Sequence, residues 1–108
     1  MIKIFYRQGT EIVFAQSETE FAAISKENAL WIDLLAPTGE EKRAAEAFPG
    51  ATLQSRAQAE EIESSSRFHE ADGIIYANTN FISPTGGEMS MDPVSFMLTR
   101  HTLTTLRD

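Results

Sequence analysis

Glu60 and Glu61 are adjacent carboxylates in the most acidic third of the chain, and Glu63 follows two residues later. On a helix, consecutive residues diverge by about 100°, so both carboxylates can project toward one hydrated cation. Hard divalent ions take oxygen ligands, and magnesium keeps several waters while using one or two carboxylates. Two acids alone do not chelate tightly. The same run also suits a solvated acidic face, the ordinary role of clustered charge. The spacing leaves both readings open.

Other residue types offer less. Ser64, Ser65 and Ser66 lie close in sequence to His69 and Asp72, but triad partners meet in space rather than along the chain, and no Gly-x-Ser-x-Gly elbow is present. A serine cluster at a helix end reads as a turn former. His69 and His101 are solitary, whereas imidazole metal sites need two or three ligands with supporting contacts. Gly86-Gly87 lacks the strand and helix context of a phosphate loop. Asp33 is a carboxylate inside the apolar run Leu30-Trp31-Ile32-Asp33-Leu34-Leu35. It is expected to accept backbone hydrogen bonds in the following strand-to-helix turn or to face solvent. Trp31, Phe5, Tyr6, Tyr76, Phe81 and Phe96 read as core and sheet packing. No nucleophile–base pair emerges, so the chain is not expected to be an enzyme.

The elements that position these residues follow from period and punctuation. Residues 2–6 alternate as a strand, and Gln8-Gly9-Thr10 turns the chain into a second strand at residues 11–15. Ser17-Glu18-Thr19-Glu20 has the form of a capping box and predicts a helix of about two turns. Residues 30–35, bounded by Asn28 and Pro37, predict a buried strand. Thr38-Gly39-Glu40-Glu41 repeats the capping box, Ala44, Ala45 and Phe48 mark the inward face, and Pro49-Gly50 ends that helix. A third helix is expected from Ser55 through Glu63. Strands at 67–70 and 74–82 flank a turn at Ala71-Asp72-Gly73, Pro84-Thr85-Gly86-Gly87 reads as a mobile loop, and strands at 93–98 and 102–107 close the chain. Ile74, Tyr76, Phe96, Leu98, Leu103 and Leu106 are expected to include many of the buried positions of this meander. The fold class is α/β (mixed α+β): a mixed, largely antiparallel sheet with helices packed against it.

At 108 residues, with 42% hydrophobic and 23% charged residues, the chain reads as a single soluble domain, 1–108, with a core of its own. There is no cysteine, which excludes disulfides and thiolate metal sites. A net charge of −7 repels phosphate backbones, so no nucleic-acid partner is expected. No stretch reaches the roughly 18 apolar residues needed to span a bilayer, and no signal-peptide core is present, so no membrane insertion is expected. The abrupt end on a strand reads as a piece cut from a longer protein.

The order of motifs resembles a known family. Trp31-Ile32-Asp33-Leu34 followed by Pro37-Thr38-x-Glu40-Glu41 resembles the early signature of the CorA magnesium-transporter family. Glu60-Glu61-Ile62-Glu63-Ser64-Ser65-Ser66-Arg67-Phe68 resembles that family's helix-to-strand segment. Pro93-Val94-Ser95-Phe96-Met97-Leu98, continued by Leu103-Thr104-Thr105-Leu106-Arg107, is similar to its terminal strand pair. These matches come in the family's order and span residues 30–108.

The resemblance implies the cytoplasmic N-terminal domain of a homopentameric channel for magnesium, cobalt or related divalent cations, held at the cytoplasmic face of the inner membrane. The family's stalk helix, two transmembrane helices and Gly-Met-Asn motif are not within these residues, so conduction is not expected of them. The resemblance further implies weak regulatory Mg²⁺ at an acidic pair in the place of Glu60 and Glu61, shared with an acid on a neighbouring subunit's stalk and favouring the closed state. The family's pair is typically Glu-Asp, and Glu61 lengthens that arm. The implied partners are neighbouring subunits and divalent cations. The alternatives are an assembly module without metal sensing and the corresponding domain of a zinc transporter in the same family.

Overall fold

Apolar residues at alternate positions put Ile2, Ile4 and Tyr6 on one side of the first strand and Lys3 and Phe5 on the other. In the computed structural model, which describes residues 1–50, 68–85 and 87–107, this strand is β1 (Ile2–Gln8). It turns through Gly9, at φ 64°, into β2 (Glu11–Ala15). Next, α1 (Glu18–Phe21) is a single turn, shorter than expected, followed by a 3-10 turn at Lys26–Asn28. Ser17 Oγ donates to the Glu20 carboxylate at 2.8 Å. A single turn fixes several dihedrals for few hydrogen bonds, so little offsets the cost of helix nucleation.

The central strand β3 (Ala29–Leu35) leads into α2 (Gly39–Ala47). The capping box is formed as expected: Glu41 N–H donates to Thr38 Oγ1 at 3.1 Å, and Thr38 N–H to Glu41 Oε1 at 2.9 Å. The C-terminal half is a meander of β4 (Phe68–Ala71), β5 (Ile74–Thr85), β6 (Glu88–Leu98) and β7 (Leu103–Arg107). Asp72 at φ 53° and Gly73 at φ 79° make the two-residue turn between β4 and β5, the left-handed pair that a tight hairpin needs.

The expected loop at 84–87 contracts to a hairpin turn, because Thr85 pairs with Glu88 and Pro84 with Met89. Among the described residues β4 pairs with residues 74–77 of β5, and β7 reaches Val94 of β6. Pro84 and Pro93 therefore lie where no described strand beyond the hairpin requires an amide. The third helix expected through Glu63, which carries Glu60 and Glu61, lies outside the described residues.

All seven strands form one mixed sheet in the order β2-β1-β3-β7-β6-β5-β4. Every pairing is antiparallel except β3 with β7. One face holds the core. Ile4, Ile32 and Leu34 are fully buried there with Met97, while Phe21, Ile24 and Ala45 join the cluster from the connections and α2. Phe48, Ile74, Tyr76 and Leu106 pack partly against it. The opposite face is open among the described residues, although Val94 and Thr105 are buried on it. Two expectations fail: Trp31 is 39% exposed, and of the six meander positions expected to include many buried ones Leu98 is 45% exposed and the other five are only half-buried. The strands are apolar on both sides, so alternation alone does not reveal which side is covered.

Candidate functional site

Glu60 and Glu61, the acidic pair expected to meet a cation, fall outside the described residues, as do Ser64, Ser65 and Ser66. Among the described residues no group of three or more histidines, cysteines, aspartates and glutamates could hold a metal ion. His69 stands in β4 opposite Tyr76, Asp72 occupies the next turn, and His101 lies exposed in the turn between β6 and β7. His69 and His101 are thus placed on separate elements.

The side-chain chemistry that the structure does gather lies on the open face, where β3 meets β7. Their parallel register sets Trp31 beside Leu103, Asp33 beside Thr105 and Leu35 beside Arg107. Trp31 Nε1–H donates to Thr105 Oγ1 at 2.9 Å, and Thr105 Oγ1–H donates to Asp33 Oδ1 at 2.9 Å. Arg107 Nη2 approaches Asp33 Oδ2 at 3.9 Å. Asp33 does not cap the turn; alternation puts it on the open face, as expected, but its side chain is only 20% exposed and engaged by Thr105. The strand-to-helix turn is capped by Thr38 and Glu41 instead, and the Asp33 carboxylate ties β3 to β7. Thr105 was not singled out in the sequence, because its importance depends on a strand pairing across about seventy residues that no local pattern encodes.

Aromatic rings adjoin this polar chain. Phe5 stacks on Trp31 with centroids 4.9 Å apart and planes at 16°, and Phe14 tilts against Phe5 at 5.8 Å. Lys3 Nζ lies 5.7 Å from the Phe14 ring centroid, within the range of a cation–π contact.

A second polar centre sits where the chain start meets α2. The Met1 ammonium donates to Leu35 O at 2.7 Å and to Glu41 Oε1 at 3.1 Å. Glu41 is held below the ordinary glutamate range, first by the Thr38 backbone amide and then by its hydrogen bond to the ammonium. One carboxylate thus caps the helix and anchors the first strand. What they offer is alignment of strands and a patterned surface.

No protein-family model matches the chain. It is 36% identical over 81 residues to a magnesium transport protein CorA of Haemophilus influenzae, covering 74% of this chain and 26% of that protein. It is 33% identical over 82 residues to the Escherichia coli K12 magnesium transport protein CorA, covering 75% and 26%. The chain thus spans about a quarter of the length of these curated relatives. Its fold is similar to the CorA magnesium transporter of Methanocaldococcus jannaschii, with TM-score 0.65 and 17% identity, over 98% of this chain and 32% of that one. Among the described residues no helix is long and apolar enough to cross a membrane.

Proposed function

We propose, from the premise that this is a CorA-like magnesium-transporter N-terminal domain, that the chain serves as a cytoplasmic regulatory and assembly domain of a divalent-cation transporter. The observation that carries this reading is the sequence likeness over three-quarters of the chain to proteins named for magnesium transport. A fold likeness covering 98% of the chain supports it. The chemistry is in keeping: the described residues present strand clasps and an exposed aromatic surface rather than a reacting pair. In this reading Glu60 and Glu61 contribute two carboxylates to a magnesium ion that retains most of its water and takes a further acid from a neighbouring subunit. The neighbouring copies and the cation are then the partners. The exposed aromatic rings equally favour an assembly module with no metal sensing of its own.

A magnesium titration at fixed ionic strength, followed by amide shifts, separates the two readings. With only its own two carboxylates the chain should bind in the millimolar range or weaker, roughly 4 kcal/mol or less. At a concentration equal to the dissociation constant the stabilisation is about 0.4 kcal/mol. Shifts centred on residues 60 and 61 that vanish in Glu60→Gln/Glu61→Gln support sensing. Saturable micromolar binding that survives the double substitution places the site elsewhere. No shift at all leaves the assembly role.

A further inference from the structure

Strand β2 ends the sheet, and no described strand pairs with its outer side. The backbone groups it leaves there follow from its turn. The two-residue hairpin through Gly9-Thr10 closes on Gln8 and Glu11 as a hydrogen-bonded pair. Alternation then aims the amides and carbonyls of Glu11, Val13 and Ala15 at β1, and those of Ile12 and Phe14 outward. The side chains of the same two residues are 67% and 55% exposed. Natural edges are guarded by short strands, proline, lysine or a bulge. The opposite edge, β4, has four residues and includes Glu70. In β2, Glu11-Ile12-Val13-Phe14-Ala15 holds no proline or lysine, and its register with β1 runs from Gln8 to Ile4 without a break. Its one charge stands at the first residue.

We infer that β2 is a pairing edge for a second copy of this chain, antiparallel and centred on Val13. In that register Ile12 lies opposite Phe14 of the other copy, and Phe14 opposite its Ile12. These are the residues whose backbone groups point outward, so the two pairs exchange four main-chain hydrogen bonds. No other antiparallel register overlaps all five residues of the strand. Aromatic and β-branched side chains suit cross-strand pairing. Val13 meets Val13 and Glu11 meets Ala15, so no charge within the strand opposes another. The contact is isologous and closes on two copies. It goes beyond the proposed function, since it needs neither Glu60, Glu61 nor a cation, and its test is run without divalent metal. The net charge of −7 on each copy opposes it, so the dimer should tighten as salt rises.

Sedimentation equilibrium of the full chain between about 10 µM and about 1 mM should show a reversible dimer whose dissociation constant falls with added salt. Amide exchange at Ile12 and Phe14 should slow as concentration rises, while Glu11 and Val13, already bonded to β1, should change least. Two variants test the register. Ile12→Lys/Phe14→Lys sets like charges opposite each other in both pairs, whereas Ile12→Lys/Phe14→Glu sets opposite charges there. The second should dimerise about tenfold or more tightly than the first. Bulk charge predicts the reverse, since the first variant is the less negative chain. Circular dichroism checks both, and the exchange series on the unmodified chain decides if either fails to fold. A monomer throughout at high salt, equal association of the two variants, or protection gained only away from β2 overturns the inference.

Discussion

Thr105 donates to Asp33 at 2.9 Å across the parallel junction of β3 and β7, two residues 72 positions apart in sequence. The same hydroxyl oxygen accepts from Trp31, so one side chain satisfies two others. Thr105→Val keeps the shape and removes both bonds. Asp33, with a side chain 20% exposed, then loses its closest partner. Chemical denaturation should show a loss of about 1–3 kcal/mol, and Thr105→Ser should recover most of it.

The opposite result is expected one residue away. Thr104 is fully buried, and among the described residues its Oγ1 has no hydrogen-bond partner. Thr104→Val replaces an unsatisfied hydroxyl with a methyl group of similar size. Stability should rise by about 1 kcal/mol. A loss in the same melt would mean that the hydroxyl is satisfied in solution.

Burial separates two leucines. Leu34 is fully buried, and Leu98 stands half open on the far face. Leu34→Ala should cost about 2–5 kcal/mol as a core truncation, whereas Leu98→Ala should stay within about 0.5 kcal/mol, as surface substitutions usually do. Equal costs would show that the open face is covered in solution.

The helix cap sets an acid limit. Glu41 is held below its ordinary value by the Thr38 amide and the chain-start ammonium. A carboxylate with a depressed folded value adds stability that is fully present above its unfolded value, about 4.3. That stability is lost as pH falls through the folded value. Glu41→Gln should therefore be less stable than the unmodified chain at neutral pH, and the difference should close progressively below about pH 4. A gap that persists into strong acid would assign the effect to packing.

What the sequence made legible was local. The box at Thr38 and Glu41 needs only four consecutive residues, and Asp72-Gly73 announces its own turn. Both form as their residue types require. The hairpin at 84–87 was misread because Pro84 and two glycines look like a break. No described neighbouring strand reaches Pro84, and that freedom is a property of the whole sheet rather than of the local sequence. Asp33 was visible as an anomaly but not as a clasp, since its partner arrives from the last strand. The acidic pair was legible only as charge and family likeness, and Glu60 and Glu61 fall outside the described residues.

The sheet order has a kinetic consequence. Strands β2, β1 and β3 neighbour one another within the first 35 residues, and β4 to β7 are successive hairpins, so each group can pair by short-range closure. Within the sheet, the five residue pairs of β3 with β7 join them. That step closes a loop of about seventy residues, with an entropic cost that grows with the logarithm of length and must be met before the contacts form. The junction is therefore expected to set the folding rate. Asp33 with Thr105 makes it a zipper's last tooth, and substitutions there should slow folding more than those at either outer hairpin.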